Sequence, residues 1–236
     1  MNIRIFQINK DRDELGIKFA GLEVLYRRTG KIQVAPKIYD EVFRGIIKEN
    51  NLYEAFARFN TDGHGLHRGH SLSVSDVVVV SGCECEKDGA YFCDLVSWKK
   101  IDFDDSLTSI EPGLHRIVML EPGLPAYESA IRDDFHAMQR AVSGGFFEIT
   151  YPFEDSAIAI GNDEAKLIGM PGNRIICDQI YAGPVYVVGT KIGEDGEECT
   201  SLTEEQVQQY LGQFAEPEYF TREEVEESIF FRFIEM

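Results

Sequence analysis

No apolar run in the 236 residues approaches the ~20 that a helix needs to cross a bilayer, so a membrane span is not expected. The N-terminal MNIRIFQINKDRDE has neither a long apolar stretch nor a small-residue cleavage site. It reads as the start of a strand, and the cytoplasm is the expected compartment. Cysteine is scarce and odd in number, five in all, which argues against a disulfide framework. The chain holds no Walker lysine, EF-hand loop, HExxH or Gly-x-Ser-x-Gly elbow. No cofactor, catalytic residue or metal ligand is therefore assigned, and a non-enzymatic role is favoured.

Positive charge is also short: 23 Lys+Arg against 41 Asp+Glu give a net charge of −18. The deficit is local. Residues 1–110 carry 15 basic and 17 acidic residues, a net of −2, while residues 111–236 carry 8 and 24, a net of −16. Nucleic-acid binders cluster Lys and Arg, so direct nucleic-acid binding is not expected of the second half. A protein with a basic surface is the natural partner, although acidity also keeps proteins monomeric without any partner.

What is present suffices for a packed protein, since 44% of residues are hydrophobic. The charge step coincides with DFDDSLTSIEPGLH (102–115), where a helix or strand is hard to sustain. Two domains are expected, 1–110 and 115–236. In the first, strands are read at 2–8 and 76–80, with 90–98 as a hairpin partner of 76–80. Helices are read at 19–28, stopped by Gly30, and at 51–60, capped by Asn50 or Asn51. Residues 37–47 fit either a strand or a helix. In the second, strands are read at 115–122, 146–152, 156–161 and 184–192. A helix is read over 126–142, with Ile131, Phe135, Met138 and Val142 on one face. Two more open with capping boxes, Thr203–Gln206 and Thr221–Glu224. The last of these puts Val225, Ile229 and Phe233 on one face, with Phe230 and Ile234 beside them. The fold class is α+β: two small mixed domains, each a short, mostly antiparallel sheet with packed helices, the second ending in two helices.

Two clusters could carry chemistry. The stretch GHGLHRGHSLSVSDVVVVSGCEC (63–85) spaces His64, His67 and His70 three apart and adds Cys83 and Cys85. Gly63, Gly65 and Gly69 make a helix improbable, and the spacing fits no known zinc pattern. The hairpin register tests the cysteines. With Asp88-Gly89 as the turn, Glu84 pairs with Cys93. With Lys87 to Gly89 as the loop, Cys83 pairs with Cys93 and three thiols share a face. Ser73, Ser75 and Asp76 read as ties for the turn before strand 76–80. The second cluster, NDEAKLIGMPGNR (162–174), gathers Asn162, Asp163, Glu164, Asn173 and Arg174 around a tight connection. The candidate ligand- or partner-binding residues are thus His64, His70, Ser73, Ser75, Asp76, Asn162, Asp163, Asn173 and Arg174.

RFN (58–60), His64, RGHSLSVSDVVVV (68–80) and YFCD (91–94) together resemble the YodL-like family over about the first 105 residues. MLEPGLPAYE (119–128), YPFED (151–155), NDEAKLIGMPGNR, AGPVYVVG (182–189) and TSLTEEQ (200–206) resemble a second family. That family has no known function and is found in phages and other mobile elements; the match spans roughly 116–215. Met170-Pro171-Gly172 departs from its commoner Leu-Pro-Leu. Neither family brings an assigned catalytic residue. The resemblance implies an accessory protein of a mobile element or its bacterial host. Such elements often carry acidic proteins that imitate DNA charge and inhibit host defence, which is one expectation for this chain. The alternative is a small-ligand or nucleotide-binding module using the His-rich loop and the Asn/Arg cluster.

Overall fold

The computed structural model describes residues 1–61, 63–194 and 196–229. The chain divides between Pro112 and Gly113 into two compact units. Both are α+β, with short and almost wholly antiparallel sheets.

In the first unit, β1 (Asn2–Ile8), β2 (Tyr39–Ile46), β3 (Val77–Ser81), β4 (Gly89–Cys93), β5 (Trp98–Ile101) and β6 (Ser109–Ile110) form one sheet. Its order is β5-β4-β3-β1-β2-β6, and among the described residues only the β2–β6 pair is parallel. Segment 37–47 resolves as a strand: burial alternates along β2, with Tyr39, Glu41 and Phe43 inside. The α1 helix (Leu22–Thr29) stops at Gly30, whose φ of 72° is left-handed and suits a residue without Cβ. The α2 helix (Leu52–Thr61) is capped by Asn51, whose Oδ1 accepts from the amides of Tyr53 and Glu54. Leu22 and Leu25 of α1 join Phe6, Ile8, Tyr39, Val77 and Phe92 in the core. Phe59 of α2 meets Phe43 with ring centres 5.0 Å apart.

Three expectations change here. The stretch 102–115 is not bare linker. It holds a 3-10 turn at Asp105–Leu107 and strand β6, held down because Arg4 pairs with Asp105 and Arg12 donates to Ser109 Oγ. The strand read at 90–98 breaks after Cys93, turns through Asp94–Ser97 and restarts as β5. Neither hairpin register is the observed one. Val80 pairs with Gly89 and Val77 with Phe92, so residues 82–88 form a longer loop. Cys93 lies opposite Asp76, donating its amide to the Asp76 carbonyl at 2.8 Å. It sits at the far end of the hairpin from Cys83 and Cys85, and all five cysteines are free thiols.

In the second unit the strands are β7 (Leu114–Leu120), β8 (Tyr127–Arg132), β9 (Phe147–Thr150), β10 (Ala157–Asn162), β11 (Gly172–Ile176), β12 (Gln179–Ala182), β13 (Val185–Ile192) and β14 (Glu197–Thr200). The main sheet runs β8-β7-β13-β10-β9, β14 also pairs with β13, and β11–β12 is a separate hairpin. The α4 helix (Glu204–Gln213) lays Val207, Tyr210 and the following Phe214 against Val118, Leu120, Ala159 and Val187. Burying each such side chain contributes about 1.5–3 kcal/mol. Both reciprocal capping boxes form, at Thr203–Gln206 and at Thr221–Glu224, the latter opening α5 (Arg222–Glu227).

The helix expected over 126–142 is overturned. Tyr127–Arg132 is strand β8, with Tyr127, Ser129 and Ile131 inward, and only Phe135–Ala141 is helical, as α3. Asp134 caps α3 by accepting from the Ala137 amide at 2.8 Å. The local pattern allows both periods, and the open edge of β7 decides for the strand. Among the last helix's expected apolar residues, Val225 is buried in α5. Ile229 follows the end of that helix, and Phe230, Phe233 and Ile234 lie outside the described residues.

Candidate functional site

The first cluster is built on a glutamine that its own strand hides. Gln7 sits near the end of β1 and is 4% exposed. Its Nε2 donates to the His70 carbonyl at 2.7 Å and to Asp76 Oδ2 at 2.9 Å, and its Oε1 accepts from the His70 amide at 3.0 Å. One amide thus pins the loop that leads into β3. Asp76 Oδ2 also accepts from the Ser73 amide at 2.8 Å, and Ser73 Oγ donates to the Ser71 carbonyl at 2.9 Å. Ser75 takes a φ of 81°, costly for a residue with Cβ. It is held there from three sides. Its Oγ accepts from the Phe19 amide, its carbonyl accepts from the Tyr39 hydroxyl, and its amide donates to the Cys93 carbonyl.

The electrostatics of this node follow from its dryness. Asp76 is 1% exposed, and burial pushes its carboxyl up to about 8 against the pull of the Ser73 and Gln7 hydrogen bonds. His70 lies 2.8 Å from the Ser71 carbonyl through Nδ1. Nδ1 also lies 3.2 Å from Gln7 Nε2, so the Ser71 carbonyl favours a proton on Nδ1 while the Gln7 amide favours a bare Nδ1. Burial lowers the imidazole's affinity for a second proton. Nε2 faces Asp76 Oδ1 across 4.0 Å, and neither atom has a hydrogen-bond partner among the described residues. Burial thus favours the neutral form of both groups, the carboxyl fully inside the fold and the imidazole half-buried at its margin.

His64 and His67 serve other neighbours. His64 packs on Phe43 at 4.6 Å between ring centres, and its Nδ1 accepts from the Leu66 amide at 3.2 Å. His67 meets Phe59 edge-on at 5.1 Å, and burial, with the nearby His64, His70 and Arg68, drops it to about 4. The structure therefore joins His70, Ser73, Ser75 and Asp76 in one node and places His64 on an aromatic pair beside it. Among the described residues no three His, Cys, Asp or Glu side chains converge as a metal site would require.

The Asn and Arg candidates of the second unit do not share one site. Asn162 ties the turn after α3, donating to the Gly144 carbonyl at 2.7 Å and accepting from the Glu164 amide at 2.9 Å. Asp163 is exposed beside it. Asn173 and Arg174 are both fully buried. Asn173 donates to the carbonyls of Leu120 and Gly183. Arg174 donates to the carbonyls of Asn173 at 3.0 Å, Leu124 at 2.6 Å and Phe214 at 3.3 Å. Its charge meets carbonyl dipoles, including one at the C-terminal end of α4, where the helix dipole favours a cation. Burial nevertheless lowers its pKa.

Asn162 and Asp163 do border an open cavity of about 400 Å³, set among β9, β10, the β11–β12 hairpin and the residues after α5. Glu148, Thr150, Lys166 and Tyr181 line it. The Tyr181 hydroxyl donates to Thr150 Oγ1 at 2.8 Å, and Lys166 Nζ donates to the Ser228 carbonyl at 3.1 Å. Burial raises the Glu148 carboxyl, helped by Asp163 and opposed by Lys166, while burial lowers Lys166 and raises Tyr181. Three perturbed groups on one cavity mark a candidate binding site.

Sequence reasoning missed Gln7, Glu148, Lys166 and Tyr181. A polar residue inside the apolar strand NIRIFQI was the available signal for Gln7. The other three come together only through the hairpin β11–β12, which the sequence reading did not contain.

Comparison with known families matches residues 2–103 to the YodL-like domain and residues 115–215 to the domain of unknown function DUF3846. No curated protein and no solved structure matches the chain.

Proposed function

We propose that this chain, a YodL-like domain followed by a DUF3846 domain, is a non-enzymatic accessory protein that binds a partner's basic surface through its second unit. The observation that carries this reading is how that unit uses its few cations. Eight basic residues stand against 24 acidic ones over 111–236. Arg174 is buried on carbonyls, and Arg116 is held by Glu128 at 2.8 Å and Glu204 at 2.7 Å. Lys191 pairs with Glu198 and Arg222 with Glu226. The remaining exposed carboxylates, among them Glu194, Glu197, Glu205, Glu223 and Glu227, have few cations left to neutralise them. Such a surface associates quickly with basic proteins and loses affinity as salt rises. Inhibition of a host defence nuclease by occupying its DNA channel is the specific role to which the mobile-element context points.

The test is binding of the full chain to host DNA-binding proteins across a salt series. A partner whose affinity falls steeply with added salt is expected. Absence of any salt-sensitive partner overturns the reading. The small-ligand alternative draws no support from Asn173 and Arg174, whose donors are spent on internal carbonyls. It draws support from the cavity beside β9.

A further inference from the structure

We propose that β9 is a site of strand addition, where an extended segment of the basic partner, alternating apolar and basic residues, pairs with the open edge of the sheet. The inference rests on the binding role proposed above and gives that role a place and a backbone geometry.

β9 ends the main sheet of the second unit, and among the described residues β10 is its only strand neighbour. The phase of that pairing follows from the Asp163 amide, which donates to the Phe146 carbonyl at 3.2 Å. Antiparallel partners alternate between bonded and non-bonded pairs. Glu148 opposite Gly161 and Thr150 opposite Ala159 are therefore the residues bonded to β10. Phe147 and Ile149 turn their amides and carbonyls the other way, off the edge of the sheet. Those are the donors and acceptors that an added strand uses.

Edges that stay free are kept short or guarded by charge or proline. The first unit's sheet ends on one side in β5, which carries Lys99 and Lys100, and on the other in β6, two residues long. By contrast, FFEITY (146–151) holds no lysine, arginine or proline and a single acid. Its apolar side chains stand in solvent: Phe146 is 66% exposed and Tyr151 64%, with Ile149 exposed between them. Phe135 of α3, 54% exposed, extends the patch by packing on Phe147 with ring centres 5.4 Å apart. Open backbone groups and a contiguous apolar patch thus coincide along one edge.

Charge selects which strand fits. Phe147 and Ile149 point to one face of the sheet, Glu148 and Thr150 to the other. An added strand matches the first face with apolar residues and the second with Lys or Arg beside Glu148. Asp163 and Glu164, exposed where β10 ends, favour the same sign. A second copy of the chain is the poorer occupant. Pairing β9 with itself would set 24 acidic and 8 basic residues of 111–236 against an identical unit.

The experiment follows amide hydrogen exchange of the ¹⁵N-labelled full chain with the peptide acetyl-Arg-Val-Lys-Val-Arg-Val-Lys-amide. Exchange at Phe147 and Ile149 should be fast in the free chain and slow at least about tenfold at saturation, while Glu148 and Thr150 are protected in both states. One control peptide is N-methylated at every interior residue, which removes its backbone donors and keeps its charge. The other is acetyl-Glu-Val-Asp-Val-Glu-Val-Asp-amide. Both should bind at least about tenfold more weakly. Ile149→Pro removes an outward donor and no bond to β10, so it should abolish protection at Phe147 while the spectrum keeps native dispersion. No slowing at saturation, or equal binding of either control peptide, would overturn the proposal. Protection that rises with protein concentration in the absence of peptide would assign the edge to a second copy and overturn the partner's strand. Because the peptide comparisons use the wild-type chain, they do not depend on how any variant folds. A salt-sensitive partner that leaves Phe147 and Ile149 unprotected would sink strand addition and leave the acidic-surface reading standing.

Discussion

Asp76 sets a pH dependence that can be read from stability. Its carboxyl titrates near 8 in the folded chain against 3.8 for the unfolded side chain. Below about pH 4 both states hold the proton, and the group costs nothing. As pH rises from there, the unfolded chain releases the proton while the folded chain keeps it. Stability therefore drains away up to about pH 8, by on the order of a few kcal/mol. His67 acts the other way over a narrower window. Its folded value of about 4, against 6.5 unfolded, costs stability as pH falls from about 6.5 to about 4. The difference between wild type and Asp76→Asn isolates the carboxyl, because the asparagine oxygen can still accept from Gln7 and Ser73. Urea midpoints between pH 4 and 8 should show the variant gaining on wild type as pH rises. A constant difference across that range would refute the buried, protonated state. Arg174 is the matching case in the second unit. Arg174→Ala strands the carbonyls of Asn173, Leu124 and Phe214 in a dry interior, at about 3–5 kcal/mol. Chemical denaturation should show it as a large loss confined to the second unit.

At the scale of elements, loops and caps carry more than their length suggests. A Cβ added at Gly69 would stand 2.0 Å from Gln7 Oε1 and 3.1 Å from Val42 Cβ, so the RGHSLSVSD loop can approach β1 and β2 only with glycine there. Gly69→Ala should displace Gln7, release the His70 amide and carbonyl, and destabilise the first unit by about 1–3 kcal/mol in thermal unfolding. Thr203→Ala removes one half of a reciprocal cap on α4 and should cost about 1 kcal/mol, with Thr203→Ser restoring most of it. These elements were legible because their causes are local: a cap, a stop glycine, a β-branched run. The exchange of strand β8 for the front of an expected helix was not. YESAIR and FHAMQRA are joined by Asp133-Asp134, and spacing alone let one helix run through both. The Asp134 cap was the local sign of a boundary. The neighbouring edge of β7, which made the strand favourable, lies just upstream across the turn at 121–126, a pairing that spacing within 126–142 does not register.

The whole molecule is two cores in series. Phe6, Tyr39, Val77 and Phe92 with α1 anchor one, and Val118, Val187 and Tyr210 with α4 anchor the other. Because each unit buries its own apolar residues, fragments 1–112 and 113–236 should each unfold cooperatively when expressed alone. Loss of cooperative unfolding in either fragment would show that its core is incomplete without the other. No described helix is long and apolar enough to cross a membrane.

Composition and order alone determined the α+β class, the charge step, the helix caps and the likeness to two families, because each depends on residues close in sequence or on simple counts. The sequence also marked His70, Ser73, Ser75 and Asp76 as a group, since they lie within seven residues. Tertiary structure alone decided the rest. It brought Gln7 to Asp76, set Cys93 against Asp76 rather than the other thiols, buried Arg174 on carbonyls, and gathered Glu148, Lys166 and Tyr181 around one cavity. Those outcomes depend on which strands pair and in which register. The register is settled by the packing energy of the whole sheet, which no short stretch of sequence contains.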